Sequence, residues 1–287
     1  MSSLIIEKFK NQLIISEHCI NIDESTNYFL IKVNGKIVLI VGIKHLEWDS
    51  NIFNKKIGLF EIYYFDDEVS FINLTMEKVN NFCVKEKYEC LFAKVSIENY
   101  NIMHLLESNG YKLMDSIVTL KINLSNKVID ECNYRIRVLA ESDIDNVLSI
   151  IDRLYSYGRF YADPNLNNKD VNELYKLWVT NEIKSSKVDV IGVECNNKLV
   201  GFISCKYRYN NKAKKEEGII SLVGIDKSCQ GIGIGKQLLK SVLFYFKEKN
   251  IDEVYVGTQI DNISALNFYI ASGFKIISST NSFHKWI

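Results

Sequence analysis

The stretch Leu222–Leu239 reads LVGIDKSCQGIGIGKQLL, and it decides the fold class of this chain. The hydrophobic run Gly218–Ile225 predicts a β-strand, and the amphipathic run Lys236–Lys249 predicts a helix. Glycines occupy alternate positions of Gln230–Gly235, between the strand and the helix. Because glycine has no Cβ, an anion can approach the free main-chain amides that open a helix. The order of strand, glycine-rich turn and helix therefore predicts a binding site for a pyrophosphate.

Two other glycine-rich motifs bind nucleotides, and neither fits this turn. A Rossmann site has the pattern G-x-G-x-x-G after the first strand of a βαβ unit. Here the pattern is G-x-G-x-G, deep in the chain, behind a hairpin that we expect at Asn196-Asn197. A P-loop continues with G-K-[ST], whereas Gln237 follows Gly235-Lys236. A glycine-rich turn that binds nothing is the remaining alternative.

Composition excludes several classes of partner. The chain has 287 residues, of which 47% are hydrophobic, and its 35 basic residues balance 35 acidic ones. A protein that follows a phosphate backbone carries a basic excess, so no nucleic-acid partner is expected. Seven cysteines are scattered without the spacing of a metal site, so no metal is predicted. No apolar stretch reaches the ~20 residues that span a bilayer, so we expect no membrane partner and a soluble, cytoplasmic protein.

One pattern of elements occurs twice along the chain. A predicted strand near residues 90–95 is followed by Asn99, a helical run and Gly110. A predicted strand near residues 251–256 is followed at the same separations by Asn262, a helical run and Gly273. The repetition predicts two related α+β units, which we place at residues 1–124 and 133–287 with a linker between them.

The second predicted unit has a readable order of elements. A strand is followed by a helix, a polar and aromatic loop, a second helix, and two strands that form a hairpin. Their predicted ranges are Tyr134–Val138, Ser142–Tyr155, Gly158–Asn168, Asp170–Lys184, Val188–Glu194 and Leu199–Tyr207.

The region Tyr134–Ile287 resembles the GNAT superfamily of acyl-CoA-dependent N-acetyltransferases. The stretch Leu222–Leu239 is similar to the strand-and-loop signature of that family. Its second signature is matched by Asn262, Ala265, Tyr269, Gly273 and Phe274. Lys227 departs from the family, since many members have proline there, which puts the rigidity of the loop in doubt. The resemblance implies an α+β GNAT fold, with a complete C-terminal mixed sheet and a V-shaped cleft for acetyl-CoA.

The same resemblance implies roles for individual residues. Main-chain amides of the turn would hold the pyrophosphate of coenzyme A, the end of the preceding strand would pair with the pantetheine arm, and Asn262 would contact that arm. Tyr269 would be the catalytic acid that protonates the departing thiolate; the alternative is a core aromatic residue. The full set of implied cofactor-binding residues is Leu222, Val223, Ile225, Gln230, Gly231, Ile232, Gly233, Ile234, Gly235, Lys236, Asn262 and Tyr269.

The N-terminal unit resembles the truncated GNAT-like half of TDP-fucosamine (TDP-4-amino-4,6-dideoxygalactose) acetyltransferases. The resemblance rests on Leu46–Phe53, LEWDSNIF, and on the repeat without its glycine-rich turn. It implies an acceptor amine on a nucleotide-linked amino-deoxysugar in polysaccharide biosynthesis, and an N-terminal half that helps to form the acceptor site. Arg159 would bind the diphosphate, Trp48 would stack on a ring, and Asp115 would be the catalytic base.

Plainer interpretations of these residues stay open, as do other functions. Arg159 could form a surface ion pair, Trp48 could be a core aromatic residue, and Asp115 could be a solvated strand end. His284 is interpreted as structural. The enzyme could act on another small amine, an antibiotic, a polyamine or a protein terminus, or the chain could be a regulatory module that binds acyl-CoA. The sugar, the nucleotide, the acyl length, the base and the oligomeric state stay open, with a homodimer among the states allowed.

Overall fold

The computed structural model describes residues 4–9, 23–66, 72–125, 134–151, 154 and 157–287. The chain forms two compact units. The first comprises residues 1–116, 162–166 and 280–287, and the second comprises residues 117–161 and 167–279. Residues 126–133, which carry most of the predicted linker, lie outside the described residues. The division into domains at residues 124 and 133 stays a prediction.

The first unit is a sheet with helices. Strands β1 to β4 pair antiparallel in chain order, and β4 pairs parallel with β5. On its other side, β5 pairs antiparallel with the chain end Thr280–Trp286. Its elements are β1 (Leu4–Phe9), β2 (Thr26–Val33), β3 (Lys36–His45), α1 (Glu47–Phe53), β4 (Ile57–Phe65), α2 (Ile72–Lys85), β5 (Cys90–Ser96) and α3 (Tyr100–Ser108).

The second unit has a mixed sheet in the order β6-β11-β10-β9-β8-β7, in which only β10 and β11 are parallel. Strands β6 and β12 each have residues in both units. The elements that follow α3 are β6 (Lys112–Asn123), β7 (Arg135–Val138), α4 (Ile144–Ile151), α5 (Arg159–Ala162), α6 (Asn168–Lys184), β8 (Val188–Cys195), β9 (Lys198–Asn210), β10 (Lys215–Ile225), α7 (Ile234–Glu248), β11 (Glu253–Gln259), α8 (Ile263–Ala271) and β12 (Lys275–Trp286). The predicted α+β GNAT fold is confirmed.

Helix α7 supplies much of the core of the second unit. Its apolar residues recur at helical spacing, so Leu238, Val242 and Phe246 lie on one face and are fully buried. They pack in one cluster with strand residues such as Val254 and Val256 of β11. Because this packing fixes α7 against the sheet, it also fixes the position of the turn from which the helix begins.

The hairpin between β8 and β9 forms where the sequence predicts it. Asn196 and Asn197 have φ of 51° and 58°, the left-handed conformation that a two-residue type I′ turn requires at both positions. Asparagine tolerates this conformation better than most residues because its short amide side chain can bond locally. The turn residues therefore set the register of the two strands.

Three predicted boundaries change. The predicted loop Gly158–Asn168 contains the short helix α5. Helix α7 begins at Ile234, two residues before the predicted start, because Gly233 adopts φ 91° and serves as its N-cap. The first helix of the unit is preceded by a 3₁₀ turn, Glu141–Asp143, and its described part ends at Ile151. The rest of that prediction falls partly on residues 152–153 and 155–156, which lie outside the described residues.

Close packing of α7 on the sheet gives a stability prediction. A Cβ added at Gly218 of β10 would lie 2.7 Å from Cε1 of Phe246, which is fully buried. Overpacking of this kind costs about 1–3 kcal/mol, so Gly218→Ala should lower the denaturant midpoint of unfolding. The matched control is Gly257→Ala on β11, where the nearest atom would be Cγ2 of Ile117 at 3.4 Å. Equal midpoints for the two variants would contradict the packing argument.

Candidate functional site

The segment that leaves β10 is held by its own side chains. Asp226 Oδ1 accepts hydrogen bonds from the Ser228 amide, at 2.9 Å, and from the Ser228 hydroxyl, at 2.6 Å. The Asp226 amide donates to the carbonyl of Val200 at 2.8 Å, which ties the segment to β9. Gln230 Nε2 donates to the carbonyl of Ile225 at 2.9 Å. These bonds fix the path of the chain from the end of β10 to the glycines.

The glycine-rich turn presents open main chain. Gly231 and Gly233 have φ of +78° and +91°, and a Cβ added at either would meet no atom within 4 Å. Helix α7 begins directly after Gly233, with no acidic residue in its first turn. Its first amides lack intrahelical acceptors and lie at the positive end of the helix macrodipole. The geometry is that of an anion site, and the exposed Lys227 and Lys236 are its nearest cations in sequence.

The sheet opens next to this turn. Strand β10 pairs with β11 only over Gly218–Ile220, opposite Val254–Val256. The rest of β11 pairs with β6, while residues beyond Ile220 pair with β9 after a shift of register. Among the described residues, the edge of Val223–Ile225 that faces β11 therefore has no strand partner. An unpaired strand edge of this kind accepts an extended ligand by main-chain hydrogen bonds.

The cofactor-binding residues implied by the sequence differ in what they expose. The side chains of Leu222 and Ile234 are buried in the core, at 4% and 1% exposure, so only their main chain could contact a ligand. Ile232 is 66% exposed. Gly235 lies close to Phe268 of α8, since an added Cβ would be 3.8 Å from Cε2 of that ring. The turn, the end of β10 and helix α8 therefore lie together in the second unit.

Asn262 and Tyr269 both belong to α8. Asn262 is the N-cap of this helix, and its Oδ1 accepts a hydrogen bond from the Ala265 amide at 3.2 Å. Tyr269 is 5% exposed and packs edge-to-face on Phe268 and Phe274, with ring centroids 5.2 and 5.5 Å apart. Burial raises the pKa of Tyr269 well above its usual range, so the hydroxyl stays protonated. The ring is thus a core residue, and its role as an acid stays a prediction.

The remaining predicted residues lie in different units. Asp115, on β6, and Trp48, on α1, belong to the first unit; Trp48 is 40% exposed, which does not fit a core residue. Arg159 begins α5 in the second unit, and its guanidinium lies 4.5 Å from the centroid of the Phe160 ring. The structure groups the turn with Asn262 and Tyr269, whereas the acceptor-binding roles of Trp48 and Arg159 and the basic role of Asp115 stay predictions.

A polar cluster on α6 was missed from the sequence. Glu182 is 4% exposed, and its Oε1 accepts hydrogen bonds from Trp178 Nε1, at 2.6 Å, and Ser221 Oγ, at 3.0 Å. Lys206 Nζ lies 2.7 Å from the same oxygen. The four-residue spacing of Trp178 and Glu182 on a predicted helix was the available signal, because it places both on one face. The contacts with β9 and β10 have no local signature.

The first unit contains a cavity of about 500 Å³ between the end of β4 and the start of α3. There too the parallel pairing stops early, since β4 pairs with β5 only over Ile57–Phe60. The lining has no basic side chain and no glycine. It consists of Ile62, Tyr63, Tyr64, Phe65, Glu98, Asn99, Tyr100, Asn101 and Ile102. The opening of the sheet is repeated in this unit without a phosphate-binding turn.

Comparison with known proteins agrees with this geometry. Residues 151–274 match the family model described as "Acetyltransferase (GNAT) family". The chain is 19% identical over 203 residues to the spore coat polysaccharide biosynthesis protein SpsD of Bacillus subtilis, covering 70% of this chain and 68% of that protein. It is 30% identical over 134 residues to human N-alpha-acetyltransferase 30, covering 43% of this chain but only 36% of that protein.

Solved structures share the fold. The crystal structure of a GCN5-related N-acetyltransferase from Sphaerobacter thermophilus matches with a TM-score of 0.62 at 12% identity, over 96% of this chain and 85% of that one. The fold, the family model and the N-acetyltransferase relatives define the class of the protein: it is an acyltransferase enzyme with the GNAT fold. Within the part of the chain that the structure describes, no helix is long and apolar enough to cross a membrane.

The open glycine turn gives a binding prediction. Gly233→Asp should weaken the affinity for coenzyme A by at least about tenfold, because a carboxylate at the helix N-terminus would repel the pyrophosphate and block its approach. The measurement is calorimetric titration of the full chain with coenzyme A. Gly35→Asp is the matched control, since Gly35 also has a positive φ, +81°, and open space around it. Unchanged affinity in Gly233→Asp would contradict the anion site.

Proposed function

We propose that the chain transfers the acetyl group of acetyl-CoA to the amine of a nucleotide-linked amino-deoxysugar in polysaccharide biosynthesis. One observation carries the choice of acyl donor: the free edge of Val223–Ile225 leads directly into the open turn at Gly231 and Gly233. An extended amide arm fits a strand edge, and a pyrophosphate fits a helix N-terminus. Coenzyme A has these two parts in this order.

The residues of the second unit supply the binding and the polarity that direct transfer needs. The thioester supplies the acyl group, whose carbon forms a bond with the amine nitrogen while the carbon–sulfur bond breaks. A main-chain amide near Val223 would donate to the carbonyl oxygen as charge develops there, a contribution of about 10²–10³ in rate. Tyr269 would give its proton to the departing sulfur, and Asp115 would accept the proton lost by the amine.

The sugar acceptor is supported by similarity. SpsD, by its name, belongs to the biosynthesis of spore coat polysaccharide. The motif Leu46–Phe53 and the segment around Arg159 resemble TDP-fucosamine acetyltransferases, which act on an amine of a nucleotide-linked sugar. Arg159 would then bind the diphosphate, since its guanidinium matches phosphate oxygens, and Trp48 would stack on a ring.

A protein terminus is the second candidate acceptor. Human N-alpha-acetyltransferase 30 is the relative that favours it, at 30% identity over 134 residues. The relation covers only 36% of that protein, and it lies within the same part of the chain that would bind the donor. Similarity there follows from a shared donor as readily as from a shared acceptor.

An acceptor panel tests the proposed function. Initial rates of thiol release from acetyl-CoA should be measured with TDP- and UDP-aminosugars, a polyamine, an aminoglycoside and peptides with free N-termini. We expect the highest kcat/KM for a nucleotide amino sugar and no rate in Gly233→Asp at the same donor concentration. A preference for peptides would replace the acceptor. Binding of coenzyme A without transfer to any amine would favour a regulatory module.

Tyr269→Phe tests the acid. Loss of general acid catalysis should lower kcat by about 10²-fold or more and leave the dissociation constant of coenzyme A nearly unchanged. Because burial raises the pKa of Tyr269, the donor form persists at alkaline pH, so kcat of the wild type should not fall through loss of this proton up to about pH 10. An unchanged kcat in Tyr269→Phe would remove the acid role and leave a packing role.

A further inference from the structure

The cluster around Glu182 joins a helix to the irregular point of β10. Opposite β9, Ile220 faces Cys205 and Val223 faces Ile203, so two residues of β10, Ser221 and Leu222, face a single residue of β9. This is a β-bulge, which bends a strand and redirects its main chain. The hydroxyl of Ser221 donates to Glu182 Oε1 at 3.0 Å. The carboxylate is therefore bonded to the bulge itself.

The bulge lies where the sheet opens. Pairing of β10 with β11 ends at Ile220, directly before Ser221. The unpaired edge begins two residues later, at Val223, where the proposed function requires an amide to reach the thioester carbonyl. The direction of that amide depends on how the bulge is held. Catalysis by an oriented donor is sensitive to displacements of about 1 Å.

Stability alone does not explain the cluster. Glu182 Oε2 and the hydroxyl of Ser204, which faces the bulge from β9, are buried and have no hydrogen-bond partner among the described residues. Unsatisfied buried polar atoms lower stability, and apolar residues of similar volume often replace a buried ion pair without loss. A cluster with this cost, placed at the bulge, points to a role in setting its geometry.

We propose that Glu182 is a positioning residue, which holds the β10 bulge through the hydroxyl of Ser221 and so aims the Val223 amide at the acyl carbonyl. Lys206 and Trp178 fix the carboxylate in turn, through contacts of 2.7 and 2.6 Å to the same oxygen. The inference rests on the proposed donor and is independent of the acceptor.

The test follows the carbonyl itself. Acetyl-CoA labelled with ¹³C at the carbonyl is titrated into the full chain, and the chemical shift of the bound carbonyl is recorded by NMR. A polarised carbonyl resonates downfield of the free ligand. Ser221→Ala and Glu182→Gln should each lose most of that displacement and lower kcat by about tenfold or more, with the dissociation constant of coenzyme A within about threefold. Ser221→Thr keeps a hydroxyl and should keep the displacement.

Tyr255→Phe is the matched control. It removes a hydroxyl that donates to a buried carboxylate of the same sheet, Glu217, at 3.3 Å, away from the bulge. It should leave both the shift and kcat unchanged. A wild-type displacement that persists in Ser221→Ala, or in Glu182→Gln should the first variant not fold, overturns the positioning role and leaves the proposed function intact. Failure of the wild type to bind acetyl-CoA overturns both.

Discussion

The second unit depends on the point at which β10 stops pairing with β11. Parallel strands share main-chain hydrogen bonds along their length, and here that sharing ends at Ile220 because a bulge redirects β10. The main chain beyond the bulge keeps its bonds to β9 on one side and has an open edge on the other. The glycine-rich turn follows at the end of that edge, so one irregularity in the sheet prepares both parts of the proposed donor site.

Features that arise from local backbone preferences could be predicted from the sequence. Asn196 and Asn197 specify their own turn, and the glycines at 231 and 233 adopt the left-handed φ that few other residues tolerate. Helix α7 still begins two residues earlier than predicted, because the apolar Ile234 belongs to its buried face and Gly233 can cap it. The periodicity gave the helix, while its start depends on the conformation of one residue.

Contacts between residues far apart in sequence could not be predicted. Glu182, Lys206 and Ser221 come from a helix and two strands, and only the folded sheet brings them together. In the first unit, His284 Nδ1 lies 2.7 Å from Asp163 Oδ2, with both side chains fully buried. The sequence suggested a structural role for His284 but gave no partner, because the two residues are 121 positions apart. The bulge itself has no motif.

The two units show that an opening in the sheet is not enough to bind phosphate. In the first, β4 leaves β5 after Phe60 and a cavity follows, yet no basic side chain or glycine lines it. Its sequence after β4 continues Asp66-Asp67-Glu68, where the second unit has its glycines. Since like charges repel and a Cβ blocks close approach, a pyrophosphate would be disfavoured there. The sheet supplies a strand edge in both units, and the turn that follows decides which edge can hold an anionic carrier.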